Sequence, residues 1–229
     1  MKKILLTIAA VAMIGMSGTA QAGVVNLQVG GTYSNNIRSV VNNIITTEGG
    51  GSIETSSLDG RKLDYLYCVD LSTTVNVNTV YPYTTVNNAA LIHGSVVNNA
   101  DKVAYLLENH GVGGQGDQAI ALQAAIWHEI YGTGVYDLNI SGAGGYGTGS
   151  SIATLYTSYV SEADKSTTGN FSKFIWINPG KDAIGLNNYQ GLVTSSPTPE
   201  PSTYALMGIG GLFAALWFKK SSGTLAPTV

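Results

Sequence analysis

Two short apolar runs, one near each end of the chain and each beside a lysine pair, leave only the residues between them to fold as a water-soluble body. Lys2 and Lys3 precede the run Ile4 to Met16, and Ala20-Gln21-Ala22 follows it with the small residues that a signal peptidase requires. That run is too short to span a bilayer, so residues 1–22 are expected to be a signal peptide cut after Ala22. Towards the other end, Ser195-Ser196-Pro197-Thr198 opens a polar linker, 195–203, that carries Pro199-Glu200-Pro201. The apolar run Tyr204 to Phe218 and the pair Lys219-Lys220 come next, and residues 221–229 form a tail. Fifteen helical residues cover only ~22 Å at 1.5 Å each, against a hydrocarbon core of ~30 Å. Tyr204, Trp217 and the lysines can reach the two interfaces, so 204–220 is expected to be a C-terminal transmembrane sorting helix with its basic end in the cytoplasm.

The remainder, 23–194, has the length of one domain with a sizeable core. Charged residues make up only 11% of the chain against 29 glycines, a balance typical of exported β-rich proteins. With Lys2, Lys3, Lys219, Lys220 and Glu200 set aside, 7 basic residues face 13 acidic ones, a net charge of −6. Such a domain is a poor partner for nucleic acid or an anionic membrane surface. Cys68 is the single cysteine, so no disulfide forms within the chain even in an oxidising compartment.

From Val24 to about Val80 apolar and small polar residues alternate, with breaks expected at Gly30-Gly31, Gly49-Gly50-Gly51 and Asp59-Gly60. Leu63 to Leu71 is the strongest strand candidate. Its alternation puts Leu63, Tyr65, Tyr67 and Val69 on one face and Asp64, Leu66, Cys68 and Asp70 on the other. Helices are expected over Asn87 to His93, from a cap at Asn98 or Asn99 to Asn109, over Gln118 to Tyr131 with Asp117 as cap and Gly132 as stop, and over Ile152 to Ala163. Phe171 to Ile177 and Ala183 to Val193 read as closing strands. The class is therefore α+β, a β-rich barrel- or sandwich-like domain with a helical insert.

In the helix over 118–131, Ile120, Gln123, Trp127 and Ile130 form one apolar stripe with the glutamine in its middle. An unpaired buried amide costs roughly 1–3 kcal/mol, so Gln123 must be fully hydrogen-bonded or chemically used. Attack of the Cys68 sulfur on the Gln123 side-chain carbonyl, with loss of ammonia, would use both residues at once. The product is a thioester, an electrophile open to amines.

Two resemblances follow from these residues. Pro199-Glu200-Pro201, the apolar run and the basic end resemble the PEP-CTERM sorting domain, which implies processing by an exosortase and export linked to extracellular polysaccharide and biofilm. Tyr67-Cys68-Val69-Asp70 with Leu122-Gln123-Ala124-Ala125-Ile126-Trp127 resembles the thioester domains of bacterial surface adhesins, whose motifs are Tyr-Cys and Thr-Gln-x-Ala with a following Ile-Trp. Leu122 stands where that family has threonine. The resemblance implies a bond between Cys68 and Gln123, with Trp127 packed over it. Tyr67 is expected to help exclude water, and Asp64 and Asp70 to place the nucleophile. The expected partner is a surface or matrix protein or polysaccharide bearing a nucleophile, and no cofactor or metal is expected. The protein would be a single-turnover binder and not an enzyme, on the outer surface or in the extracellular matrix of a Gram-negative cell after transient anchoring in the inner membrane.

Two rival readings stand beside this one. The first is a structural matrix protein with the same fold and no bond. The second is a Cys-His hydrolase in which His93, His110 or His128 serves Cys68 as base and Asp70 or Asp64 orients it, although no familiar hydrolase sequence surrounds Cys68. His128-Glu129 lacks the second histidine of a zinc protease helix. Gly142 to Gly149 follows no phosphate-loop pattern, and the scattered Asp and Asn match no calcium-loop register, which leaves calcium open.

Overall fold

The structure, a computed structural model, describes residues 23–166, 169–180 and 189–196, and only the backbone of residues 32–36. The expected signal peptide, PEP motif, sorting helix and tail, and most of the strand expected over Ala183 to Val193, lie outside the described residues. The described residues belong to one compact unit ending at Ser196.

Its described residues form twelve strands and three α-helices, with more strand than helix, which is the α+β class read from the sequence. The main sheet is a strongly curled half-barrel of seven antiparallel strands in the order β5-β4-β1-β7-β11-β12-β6. These are β1 Gly23–Val29, β4 Ser57–Leu58, β5 Arg61–Lys62, β6 Tyr67–Cys68, β7 Thr79–Asn87, β11 Phe174–Asn178 and β12 Leu192–Ser195. A second sheet has the order β10-β2-β3, from β2 Thr32–Val41, β3 Ile44–Glu54 and β10 Tyr136–Leu138. Two-residue strands β8 Leu91–Ile92 and β9 Ser95–Val96 form a separate hairpin.

Alternation on β1 points Leu27 and Val29 into the core, where both are fully buried. Its register with β7 shifts between Val25 and Leu27, at the point where β7 carries Pro82 and the positive-φ Tyr83. A bulge is where a strand tolerates a residue without a backbone N–H.

The helices are α1 Ala100–His110, α2 Asp117–Tyr131 and α3 Ser151–Lys165. Helix α2 is the centre of the domain: α1 and α3 pack on it, as do β3 and β10. Residues 119–127 are all buried, so α2 is apolar on every side, as a helix enclosed by its neighbours must be. Alanines at 119, 121, 124 and 125 let those neighbours approach closely. Among the described residues no helix is long and apolar enough to cross a membrane.

Several expectations are corrected. Of the strand expected over Leu63 to Leu71, only Tyr67–Cys68 pairs in a sheet, with Val193 and Leu192. The chain turns away after Val69 because the Asp70 carboxylate accepts from the Ser72 N–H and from the Ser72 and Thr73 hydroxyls, a local turn that competes with the ladder. No helix forms over Asn87 to His93. There the Asn87 amide binds the N–H of Ala89 and of Leu91 and the Leu91 carbonyl, and positive φ at His93 and Gly94 makes the tight β8–β9 turn. Gly49-Gly50-Gly51 is no turn either and lies inside β3. At the helix starts, Gly116 and not Asp117 holds the cap position of α2, whereas Asn99 holds that of α1 as expected but spends its amide on the Glu129 carbonyl, 2.7 Å away, and makes no side-chain cap bond.

Candidate functional site

The site forms where the edge of the large sheet meets the middle of α2. Strand β6 ends that sheet, so the backbone N–H and C=O of Cys68 that face away from β12 have no further strand to bind. Gln123 supplies the missing partner. The Cys68 N–H donates to Gln123 Oε1 at 2.9 Å, and Gln123 Nε2 donates to the Cys68 carbonyl at 2.7 Å. One side-chain amide thus acts as a single peptide unit of an extra strand, which explains how it tolerates complete burial.

Gly50 makes room for it. A Cβ at Gly50 would lie 2.2 Å from Ile37 Cδ1 and 3.0 Å from Gln123 Cγ, so only glycine lets β3 pass this close to α2. Beside β6 the Ile53 N–H donates to the Leu66 carbonyl and the Leu66 N–H to the Ser52 hydroxyl, which ties β3 to the approach to Cys68.

The Cys68 side chain is buried and reduced. Burial, and second the neighbouring Asp70 carboxylate, push its thiol up to about 12. A cleft of about 180 Å³ lies beside it, with Glu48, Gly50, Thr73, Trp127 and Gln190 among its walls. Trp127, one helical turn beyond Gln123, is 1% exposed, and its ring meets Tyr136 edge-on at 5.5 Å. The buried indole N–H of Trp127 has no hydrogen-bond partner among the described residues.

The structure therefore brings Cys68, Gln123 and Trp127 together. Tyr67 is fully buried next to them, and its hydroxyl donates to the Val112 carbonyl at 2.6 Å, which holds down the loop between α1 and α2. Asp70 is buried close by. Burial alone would raise its carboxyl, but the hydrogen bonds from Thr73 and Ser72, with His93 nearby, outweigh it and hold it below 3.8. Asp70 works against a thiolate at Cys68, which is the reverse of activation. Asp64 is exposed while Cys68 is buried, and Asp64 lies outside the short strand Tyr67–Cys68, so the shared strand face expected for the two does not form.

Each histidine has other partners: His93 lies 3.5 Å from Asp70, His110 pairs with Glu162, and His128 meets Asp137 and the Tyr156 hydroxyl. Among the described residues no group of three His, Cys, Asp or Glu side chains could hold a metal ion. Sequence reasoning missed Gly50 and Glu48, whose places follow from the fold and from no local motif.

Residues 197–220 match the PEP-CTERM protein-sorting motif. The match implies processing by an exosortase, and export with transient anchoring in a membrane. No curated protein and no solved structure matches the chain.

Proposed function

We propose that this is an exported cell-surface or biofilm-matrix protein of a Gram-negative bacterium, in which Cys68 and Gln123 condense to a thioester that covalently captures a partner. The observation that carries the reading is the reciprocal pair of hydrogen bonds between the Gln123 amide and the Cys68 backbone. It holds the side-chain carbonyl carbon beside the residue that bears the sulfur, and it aims a backbone N–H at the oxygen on which charge would develop. Sulfur adds to that carbon, the carbon–nitrogen bond breaks, and the thiol proton leaves with the nitrogen as ammonia. A buried, protonated thiol suits a transfer in which sulfur and nitrogen exchange one proton without a free thiolate.

In the product, Trp127 and Tyr67 shield the bond from water, and an amine or hydroxyl of a protein or polysaccharide displaces the sulfur. Asp70 takes part as a positioning residue through the turn that follows β6. One bond is consumed per molecule, so the protein is a reactive binder and not an enzyme, and it uses no cofactor. The rival is a matrix protein in which the same hydrogen bonds only seal the sheet edge.

Intact mass of the mature chain separates the two. The proposal expects a mass lighter than the sequence by one ammonia, a deficit absent from Cys68→Ala and Gln123→Ala, and methylamine added to the wild type alone. An unshifted mass, with a thiol that titrates once the chain is denatured, refutes it and leaves the structural protein.

A further inference from the structure

The cleft beside Cys68 has a charge pattern that chooses among nucleophiles. Among its described lining residues Glu48 is the only one with a formal charge, and Thr73, Thr74 and Gln190 add neutral polar groups. Leu71, Val75 and Val77 give it apolar walls. Glu48 is half-buried on β3, two residues before Gly50, which touches the Gln123 side chain. Its Oε1 accepts from the Thr46 hydroxyl at 2.7 Å, which fixes the carboxylate and leaves Oε2 without a hydrogen-bond partner among the described residues.

From this arrangement we infer that the cleft admits a primary ammonium on an aliphatic stem, such as a lysine side chain or an alkyl diamine, and that Glu48 selects it over hydroxyl nucleophiles. The inference rests on the thioester reading. An apolar-walled cleft with a single anionic group favours a slender chain ending in a cation, whereas a hydroxyl or a sugar ring has no charge for Glu48 to hold.

Glu48 also solves a proton problem. An ammonium cannot attack until it loses a proton. Of its three nitrogen-bound hydrogens, one stays on the amide that forms with the Gln123 carbonyl, one ends on the Cys68 sulfur as the carbon–sulfur bond breaks, and one passes to the Glu48 carboxylate and on to water. No oxidant or further reactant is required. The high proton affinity of the Cys68 thiol makes release of the sulfur as a neutral group the favoured end of the exchange.

The test compares a nucleophile that is cationic at neutral pH, methylamine, with one that is neutral there, methoxyamine, on the mature chain followed by intact mass. Glu48→Gln should keep the ammonia deficit and should capture methylamine more slowly by on the order of tenfold, with methoxyamine unchanged. Glu48→Asp, which keeps the charge, should recover most of the methylamine rate. A methylamine-to-methoxyamine ratio in Glu48→Gln within about twofold of wild type overturns the selection by Glu48 while the thioester stands. An absent ammonia deficit in the wild type overturns the thioester and this inference together, so the two failures are distinguishable.

Discussion

If the bond forms, Cys68→Ala should destabilise the domain far more than the loss of one sulfur atom can explain. The two hydrogen bonds to Gln123 use only the backbone of residue 68, so alanine keeps both. The purely local cost is that of one buried methylene-sized group, about 1 kcal/mol. A covalent link, in contrast, closes a loop across the 55-residue separation of Cys68 and Gln123. On the chain-entropy model such a closure removes about 14 cal/mol/K from the unfolded ensemble, or about 4 kcal/mol at 25 °C. The expected loss is therefore about 5 kcal/mol with the link and about 1 kcal/mol without it.

That contrast is large beside a total stability of roughly 5–15 kcal/mol. At roughly 2–4 °C per kcal/mol for a domain of this size, the link alone corresponds to about 8–16 °C in Tm. Urea unfolding of wild type and Cys68→Ala measures it directly, and a common slope confirms that both lose the same surface. Hydroxylamine treatment of the wild type, which opens a thioester, should bring its midpoint down to near that of the variant. A Cys68→Ala protein within about 1 kcal/mol of wild type, with a wild type insensitive to hydroxylamine, refutes the cross-link.

Two further outcomes follow from the same contacts. Gly50→Ala places a methyl group 2.2 Å from Ile37 Cδ1 and 3.0 Å from Gln123 Cγ, so it should cost about 1–3 kcal/mol by thermal unfolding and reduce the ammonia deficit by displacing the amide. Gln123→Met cannot condense, so its Cys68 stays a thiol that burial raises from 9.0 to about 12. Between those values the folded protein holds a proton that the unfolded chain has lost, so stability falls as pH rises through that window and is unaffected by this group below it. A wild type linked as proposed would lack this titration, and the difference between the two stability-against-pH curves would measure it.

The three described helices were legible because their signals are local, although the same kind of signal suggested a helix over Asn87 to His93 that does not form. The periodicity of α2 and its stop at Gly132 lie in the residues themselves, and the structure ends that helix where the sequence does. Features set by distant partners were not. Gly49-Gly50-Gly51 has the composition of a turn, yet it lies in a strand where Gly50 must clear Ile37 and Gln123, neither of them a neighbour in sequence. The alternation from Leu63 to Leu71 is real, but it cannot show that Asp70 will spend its carboxylate on Ser72 and Thr73 and end the ladder at Cys68. Gln123 was conspicuous as a buried amide in an apolar stripe. That its partner is the Cys68 backbone could come only from the strand order that leaves β6 at an edge.

That edge position gives the site an order of events. A chain that needed only to protect β6 could do so with a covering loop or a charge, at less cost than burying a primary amide. Gln123 seals the edge and, through the same two bonds, presents its carbonyl carbon to residue 68. In the unlinked domain the Cys68 backbone and the Gln123 amide are thus already paired, so the proposed condensation can follow folding without guiding it. On the proposed condensation, loss of ammonia would remove Nε2, the donor that the Cys68 carbonyl has at 2.7 Å. The cleft of about 180 Å³ that Cys68 lines has room for water beside this residue, since a water occupies roughly 30 Å³.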